Sequence, residues 1–170
     1  TYRPDLDAYF ARLGYHGPTT ATVDTLHALS YAHVSTIPFE NLDVLLGVGI
    51  DLDPTVVEAK LVGAGRGGYC FEQNSLFLHV LTALGFDARP LSARVRVGRA
   101  REFTPARTHV FVRVELADGP WLCDVGVGGS SLTGALRLAL DVEQATPHEP
   151  RRLIAEGTWD GLTRRSPDAR

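Results

Sequence analysis

Apolar residues recur every three or four positions through the first half of the chain, the spacing of one helical face. The clearest predicted helix covers residues 5–13 and is stopped by Gly14. Its shared apolar face holds Leu6, Tyr9, Phe10 and Leu13. Further helices are predicted to begin at residues 18–20, at 53–54 (running to about residue 62) and at Cys70, the last ending at Gly85. The proline within residues 37–42 predicts a loop or short turn there.

The pattern changes from helical to alternating after Gly85. Alternation of apolar and polar residues predicts strands over 91–97, 108–116 and 121–127, with a hairpin turn at Asp118-Gly119. Helices followed by antiparallel strands indicate an α+β fold. We expect a helical domain over residues 1–86, an antiparallel β domain over 87–156, and a tail or the truncated start of a third domain over 157–170.

Composition and charge exclude several classes of protein. With 44% hydrophobic residues the chain is not disordered, and a net charge of −3 provides no basic surface for nucleic acid. No apolar run is long enough to span a membrane, and no signal peptide opens the chain. The two cysteines lie 53 positions apart, which fits neither a disulfide framework nor a zinc ribbon. These features predict a cytoplasmic protein without a metal site.

The leading candidate for chemistry is Cys70, which follows a glycine pair and begins a predicted helix. The unpaired N–H groups and the dipole at a helix N-terminus favour the thiolate, which is the reactive form of cysteine. Gly67 and Gly68 allow a sharp turn and leave room for a substrate. The alternative is a small, inert, buried cysteine, which is the commoner role of this residue type.

A nucleophilic cysteine needs a base and a group that orients the base. His109 begins a predicted strand, and Asp124 lies among apolar residues, where a carboxylate needs a partner. A simple two-residue hairpin at Asp118-Gly119 leaves His109 and Asp124 four positions out of register, about 13 Å apart. Their contact therefore requires another register, a bulge or strong strand bending.

Four short motifs follow one another along the chain: residues 37–42 (IPFENL), 66–74 (RGGYCFEQN), 108–109 (TH) and 124–128 (DVGVG). In this order and spacing they closely resemble the arylamine N-acetyltransferase family, and the match runs from the amino terminus to about residue 156. The resemblance implies a Cys70–His109–Asp124 triad in a cysteine-protease-like arrangement. It implies ping-pong transfer of an acetyl group, through an acetyl-cysteine, from acetyl-CoA to an arylamine, arylhydrazine or arylhydroxylamine. It also implies a helical bundle followed by a β-barrel, with no permanently bound cofactor and no metal.

The resemblance also assigns residues around the triad. Gly126, Gly128 and Gly129 are expected to let coenzyme A approach the backbone, although these residues alone favour a tight bend after a strand. Glu40 and Arg66 are expected to form an ion pair that supports the Cys70 loop, the alternative being two separate surface charges.

Contacts with the substrates are expected from side chains in and beside the same motifs. These are Phe39, Phe71, Val95, Thr108 and Val127. Val127 stands where the family usually carries phenylalanine, which predicts a roomier and less aromatic acceptor pocket.

Other functions compete with this interpretation. Papain-like proteases and transglutaminases use the same order of Cys, His and Asp, but the motifs at residues 38–41 and 66–68 argue against them. An amide synthase that acts on a carrier-bound acyl chain resembles the same family. An inactive remnant that retains the fold is the non-enzymatic alternative.

The resemblance also implies a third domain that acts as a lid and that is expected to begin where this chain ends. We therefore expect a shortened chain, whether an engineered truncation, a fragment or a natural variant. Its acetyl transfer is expected to be weak. We also expect self-association through the apolar surface that a lid covers, and neither a nucleic-acid nor a membrane partner.

Overall fold

The helices follow the apolar pattern of the first half of the chain. A computed structural model of the chain describes residues 2–100 and 102–155. Its helices are α1 (Leu6–Leu13), α2 (Val23–Thr36), α3 (Leu42–Leu45), α4 (Pro54–Glu58) and α5 (Cys70–Ala83). A π-helical turn, Ala59–Gly63, continues α4 and completes the predicted third helix. The helices that end at Gly14 and begin at Cys70 are confirmed. The second helix starts later than predicted, because the Thr22 side chain caps it by accepting the Thr25 N–H.

Antiparallel strands form the second half of the structure. They are β1 (Asp87–Ala93), β2 (His109–Leu116), β3 (Gly119–Cys123), β4 (Leu136–Arg137), β5 (Glu143–Gln144) and β6 (Arg151–Arg152). The first four pair in the order β1-β2-β3-β4, and β5 pairs with β6. The predicted α+β order of helices before antiparallel strands is confirmed.

Two strands end earlier in the chain than the alternation of apolar and polar residues predicts. The strand predicted over 91–97 lies at Asp87–Ala93, because Ala93 pairs with His109, which is the first residue of β2 and ends the ladder between the two strands. Val95 and Val97 therefore lie outside the sheet and are 41% and 78% exposed. The return strand stops at Cys123 instead of residue 127.

The predicted β-barrel is wrong for the part of the chain that the structure describes. There the four-stranded sheet is open, with β1 and β4 as its two edges. Closure requires pairing between distant strands, which local alternation does not encode. The sheet instead buries one face against α5, so that Phe77 and Val80 share a core with Val112 and Val114. The predicted domain boundary at residue 86 stays a prediction. No helix among the described residues is long and apolar enough to cross a membrane.

A buried hydrogen-bonded chain joins three helices within this core. His33 of α2 is fully buried, with Nδ1 2.8 Å from the Tyr9 hydroxyl and Nε2 2.7 Å from Gln73 Oε1. Gln73 Nε2 donates to the carbonyls of Pro38 and Gly68, so Gln73 Oε1 is the acceptor for His33. Nε2 of His33 therefore carries a proton, and burial lowers the pKa of His33 to about 4, which keeps the ring neutral at pH 7.

Acid is expected to destabilise the fold through His33. Its folded pKa of about 4 lies below its ordinary value of 6.5, so the unfolded chain binds this proton first as the pH falls. The free energy of unfolding should fall between pH 6.5 and 4, by at most about 1.4 kcal/mol per pH unit for this group. Urea unfolding across this range should show a shallower slope in His33→Gln. The exposed His16→Gln serves as control, and equal slopes in all three proteins would contradict the assignment.

Candidate active site

Cys70 is the first residue of α5. Its side chain is buried, and the residue is 7% exposed. The Glu72 carboxylate accepts the N–H of Tyr69 at 3.0 Å and so closes the start of the helix. The thiol lies 3.7 Å from the carbonyl oxygen of Thr108, which brings the residue before β2 beside the sulfur.

The glycine pair before Cys70 allows another segment to approach the loop closely. A Cβ at Gly67 would lie 2.1 Å from the carbonyl oxygen of Pro38, so this position excludes a larger residue. The Gly68 N–H donates to Pro38 at 3.3 Å, and the Glu40 N–H donates to the Gly68 carbonyl at 3.0 Å. These bonds hold the segment that carries Phe39 against the Cys70 loop.

His109 and Asp124 are in direct contact, with Nε2 and Oδ2 2.6 Å apart. The simple hairpin register assumed from Asp118-Gly119 is wrong by two positions, because the turn is centred on residues 117–118 and Arg113 faces Leu122 instead of Asp124. This shift moves Asp124 towards His109. Since β3 ends at Cys123, Asp124 also leaves the ladder and turns towards the imidazole.

Asn74 orients Asp124 and was not identified from the sequence. Its Nδ2 donates to Asp124 Oδ1 at 3.0 Å and to the Val110 carbonyl at 2.8 Å. Its Oδ1 accepts the Val125 N–H at 3.1 Å. Asn74 follows Cys70 by four positions, and this helical spacing places both on one face of α5, the one signal that points to it.

The charge state of His109 follows from its neighbours. Burial alone would lower the pKa of His109, but hydrogen bonds to Asp124 and Cys70 outweigh it and raise the pKa to about 9. Nε2 is engaged by Asp124, so Nδ1 is the ring nitrogen that remains for the thiol. A protonated imidazole in this position stabilises a negative charge on the neighbouring sulfur.

The three glycines predicted to approach coenzyme A have different surroundings. A Cβ at Gly126 would lie 2.6 Å from Asn74 Nδ2 and 2.8 Å from the Cys70 Cα, so the 126 loop packs directly on α5. Gly128 lies against the Phe39 ring, and Gly129 faces open space. Packing in the protein therefore accounts for Gly126, while contacts of Gly128 and Gly129 with coenzyme A stay predictions.

Two cavities are lined in part by residues of the segment 124–132. One, of about 300 Å³, is lined by Val34, Ile37, Phe39, Val125, Gly128, Gly129 and Ser131. The other, of about 320 Å³, is lined by His109 and Asp124 and by Ala93, Phe111, Leu122, Ser130, Leu132, Leu136, Arg151, Arg152 and Leu153. Of the predicted substrate contacts, only Phe39 lines either cavity. The others, Phe71, Val95, Thr108 and Val127, line neither.

Charged side chains form a network that includes Glu72, two residues after Cys70. Arg66 and Glu40 are 2.8 Å apart, so the expected ion pair is present. Arg66 also contacts Asp43 at 2.8 Å, and Lys60 contacts both Asp43 and Glu72, three contacts that the sequence did not indicate. Across residues 2–100 and 102–155, no group of three or more His, Cys, Asp or Glu side chains is arranged to hold a metal ion.

Comparison with known proteins connects the chain to one group of enzymes. A family model described as N-acetyltransferase matches residues 22–166. The chain is 50% identical over 154 residues to the arylamine N-acetyltransferase of Escherichia coli K12, covering 91% of this chain and 54% of that protein. The chain spans about half the length of the curated relatives it matches.

The solved structures that resemble the chain are also arylamine N-acetyltransferases. The arylamine N-acetyltransferase from M. tuberculosis has a TM-score of 0.86 at 46% identity, covering 89% of this chain and 58% of that one. The Mycobacterium marinum arylamine N-acetyltransferase in complex with CoA has a TM-score of 0.85 at 43% identity, covering 90% and 58%.

Limiting iodoacetamide near neutral pH is expected to alkylate Cys70 before Cys123. Cys123 is fully buried in β3, and burial raises the pKa of its thiol to about 12. Peptide mapping by mass spectrometry measures the order of labelling, and Cys70→Ser should abolish the early adduct. Equal labelling of both cysteines in the folded chain would contradict this assignment.

Removal of Asn74 is expected to weaken both stability and thiol reactivity. Asn74→Ala leaves a carboxylate oxygen and two backbone groups without their side-chain partner, at a cost of about 1–3 kcal/mol. Urea unfolding measures the loss, and iodoacetamide labelling of Cys70 should slow. Asn41→Ala is the matched control, because Asn41 is exposed and its side chain makes no cap hydrogen bond. Equal effects of the two substitutions would argue against a role for Asn74 in the site.

Proposed function

The chain belongs to the arylamine N-acetyltransferase family, and we propose that its Cys70 accepts an acetyl group from acetyl-CoA and passes it to an arylamine, arylhydrazine or arylhydroxylamine. The observation that carries this proposal is the 2.6 Å contact of His109 with Asp124 beside the thiol at the start of α5. It supplies the base, and the group that orients the base, which a cysteine nucleophile requires.

In the first half-reaction, His109 holds the proton of Cys70 and leaves a thiolate. The sulfur attacks the acetyl carbon, a new S–C bond forms, and the bond from that carbon to the coenzyme A sulfur breaks. The proton on His109 passes to the departing coenzyme A thiolate. Throughout, Asp124 accepts from Nε2 and keeps Nδ1 directed towards the sulfur.

In the second half-reaction, the acceptor nitrogen or oxygen attacks the acetyl-cysteine. The acceptor's proton moves to His109, the S–C bond breaks, and the thiolate–imidazolium pair is restored. The N–H groups of Cys70 and Phe71 open α5 and so have no acceptor within their own helix. They are the natural donors to the oxyanion that forms in each half-reaction.

The opening beside Phe39 is the proposed place for the acceptor ring. Phe39 is 42% exposed and lines the cavity of about 300 Å³ together with Gly128. Its exposed ring offers an aromatic face for stacking. Coenzyme A is proposed to reach the sulfur along Gly128 and Gly129, the second of which has open space above its Cα.

Acetyl-CoA added to the purified chain is expected to place one acetyl group on Cys70. Intact-mass and peptide-mapping spectrometry measure the adduct, and an added arylamine should remove it. Cys70→Ser should show no adduct. Asp124→Asn should slow its formation strongly, because His109 loses the carboxylate that orients and charges it.

Three other results would contradict this function. Cys70 that alkylates but never acetylates would indicate an inactive remnant. An acetyl-cysteine that no arylamine discharges would favour an amide synthase with another acceptor. Acetylation at Cys123 would exclude the proposed nucleophile.

A further inference from the structure

Lys60 is the only lysine in the chain, although lysine and arginine together number 17. It lies in the π-helical turn Ala59–Gly63, and its side chain is 14% exposed. Turns of this kind inside helices are often associated with functional sites. Every other Lys or Arg position of the chain carries arginine, whereas position 60 carries the compact ammonium group.

The Lys60 ammonium bridges two carboxylates from different segments. Its Nζ lies 2.7 Å from Glu72 Oε1 and 2.8 Å from Asp43 Oδ2. A tetrahedral ammonium directs its three N–H donors apart, whereas the planar guanidinium of arginine is longer and directs its donors in one plane. The contacts therefore suit lysine and not arginine. Burial alone would lower the pKa of Lys60, but hydrogen bonds to Asp43 and Glu72 outweigh it and raise the pKa above its ordinary value.

Glu72 connects this ammonium to the nucleophile. Its side chain is 3% exposed, and both carboxylate oxygens are used, Oε1 by Lys60 and Oε2 by the Tyr69 N–H. Tyr69 directly precedes Cys70, so Glu72 fixes the backbone from which the thiol projects. A buried carboxylate is costly without an opposite charge, and Lys60 supplies that charge.

Asp43 connects the same ammonium to the segment that carries Phe39. Asp43 contacts Arg66 at 2.8 Å, and Arg66 contacts Glu40 at 2.8 Å. Glu40 follows Phe39, and its N–H donates to the Gly68 carbonyl in the Cys70 loop. Lys60 thus contacts both Glu72, which fixes the start of the Cys70 helix, and Asp43, which is connected to the segment that carries Phe39.

We propose that Lys60 is a positioning residue, which fixes the start of the Cys70 helix through Glu72 and cancels a carboxylate charge two residues from the nucleophile. The inference rests on the proposed function of Cys70 as the attacking group. Other titratable and charged groups face Cys70 and Glu72 from the neighbouring elements. They are His109, Asp124 and Tyr69 at the thiol, and Asp43, Arg66 and Glu40 around the ammonium.

The pH dependence of Cys70 alkylation separates this role from a merely structural one. In Lys60→Met the uncompensated Glu72 charge should oppose the thiolate and move the alkylation midpoint upward by about one pH unit. Lys60→Arg keeps the positive charge but not the geometry of the contacts with Glu72 and Asp43. Its alkylation midpoint should therefore equal that of the native chain, while its maximal alkylation rate falls several-fold. Lys60→Met/Glu72→Gln removes both charges and should return the midpoint to that of the native chain.

Arg89→Met is the matched control, because it removes an exposed ion pair between Arg89 of β1 and Glu115 of β2 that includes none of the residues around Cys70. Its alkylation profile should equal that of the native chain. If Lys60→Met does not fold, the alkylation profiles of the double variant and of Lys60→Arg are compared with that of the native chain instead. An unchanged midpoint in folded Lys60→Met, a double variant with the midpoint still raised, or Lys60→Arg with native midpoint and native rate would each overturn the proposal.

Alkylation requires no acetyl-CoA, so this test is independent of acetyl transfer. A shifted midpoint in Lys60→Met with no acetylation of the native chain would support the role of Lys60 and reject the proposed function. Normal acetylation with an unchanged midpoint would reject the role of Lys60 alone.

Discussion

The desolvated contact between Asp124 and His109 is the interaction on which the rest of the site depends. Their side chains are 13% and 8% exposed, and a carboxylate so far removed from water must be compensated by specific partners. His109 is hydrogen-bonded to the Oδ2 oxygen of Asp124, while the Asn74 side chain and the Gly126 N–H donate to Oδ1. These bonds require β3 to end at Cys123 and residue 126 to pack on α5. The local fold and the charge state of the imidazole therefore both follow from the need to compensate the buried Asp124 carboxylate.

Local patterns in the sequence predicted the helices better than the strands. The helix ending before Gly14 and the one beginning at Cys70 carry their own cap and stop signals, and both lie where these signals predict. The alternating pattern after Leu91 continues beyond Ala93, yet the strand ends there, because β2 offers no partner. The signal at Asp118-Gly119 located the hairpin but not its register, since neighbouring turn centres fit the same residues. Closure of a barrel depends on distant pairing, and here the sheet is open.

The same distinction applies to the site. Residues marked by their own sequence surroundings could be predicted, whereas residues marked only by partners distant in sequence could not. Cys70 could be identified from its position after the glycine pair, and Asp124 from the cost of a carboxylate among apolar residues. Asn74 and Lys60 could not, because each is significant only through groups that the fold brings to it: Asp124 for the first, Glu72 and Asp43 for the second. The single lysine was visible in the sequence, but its partners were not.

The charge on His109 at neutral pH is the most direct test of this account. Nitrogen-detected NMR of the selectively labelled histidines can follow each imidazole through a pH titration. His109 is expected to titrate near its raised pKa of about 9 in the native chain and at a much lower pH in Asp124→Asn. A His109 that titrates near 6.5 in both proteins would show that the buried pair does not hold the proton, and would contradict the account.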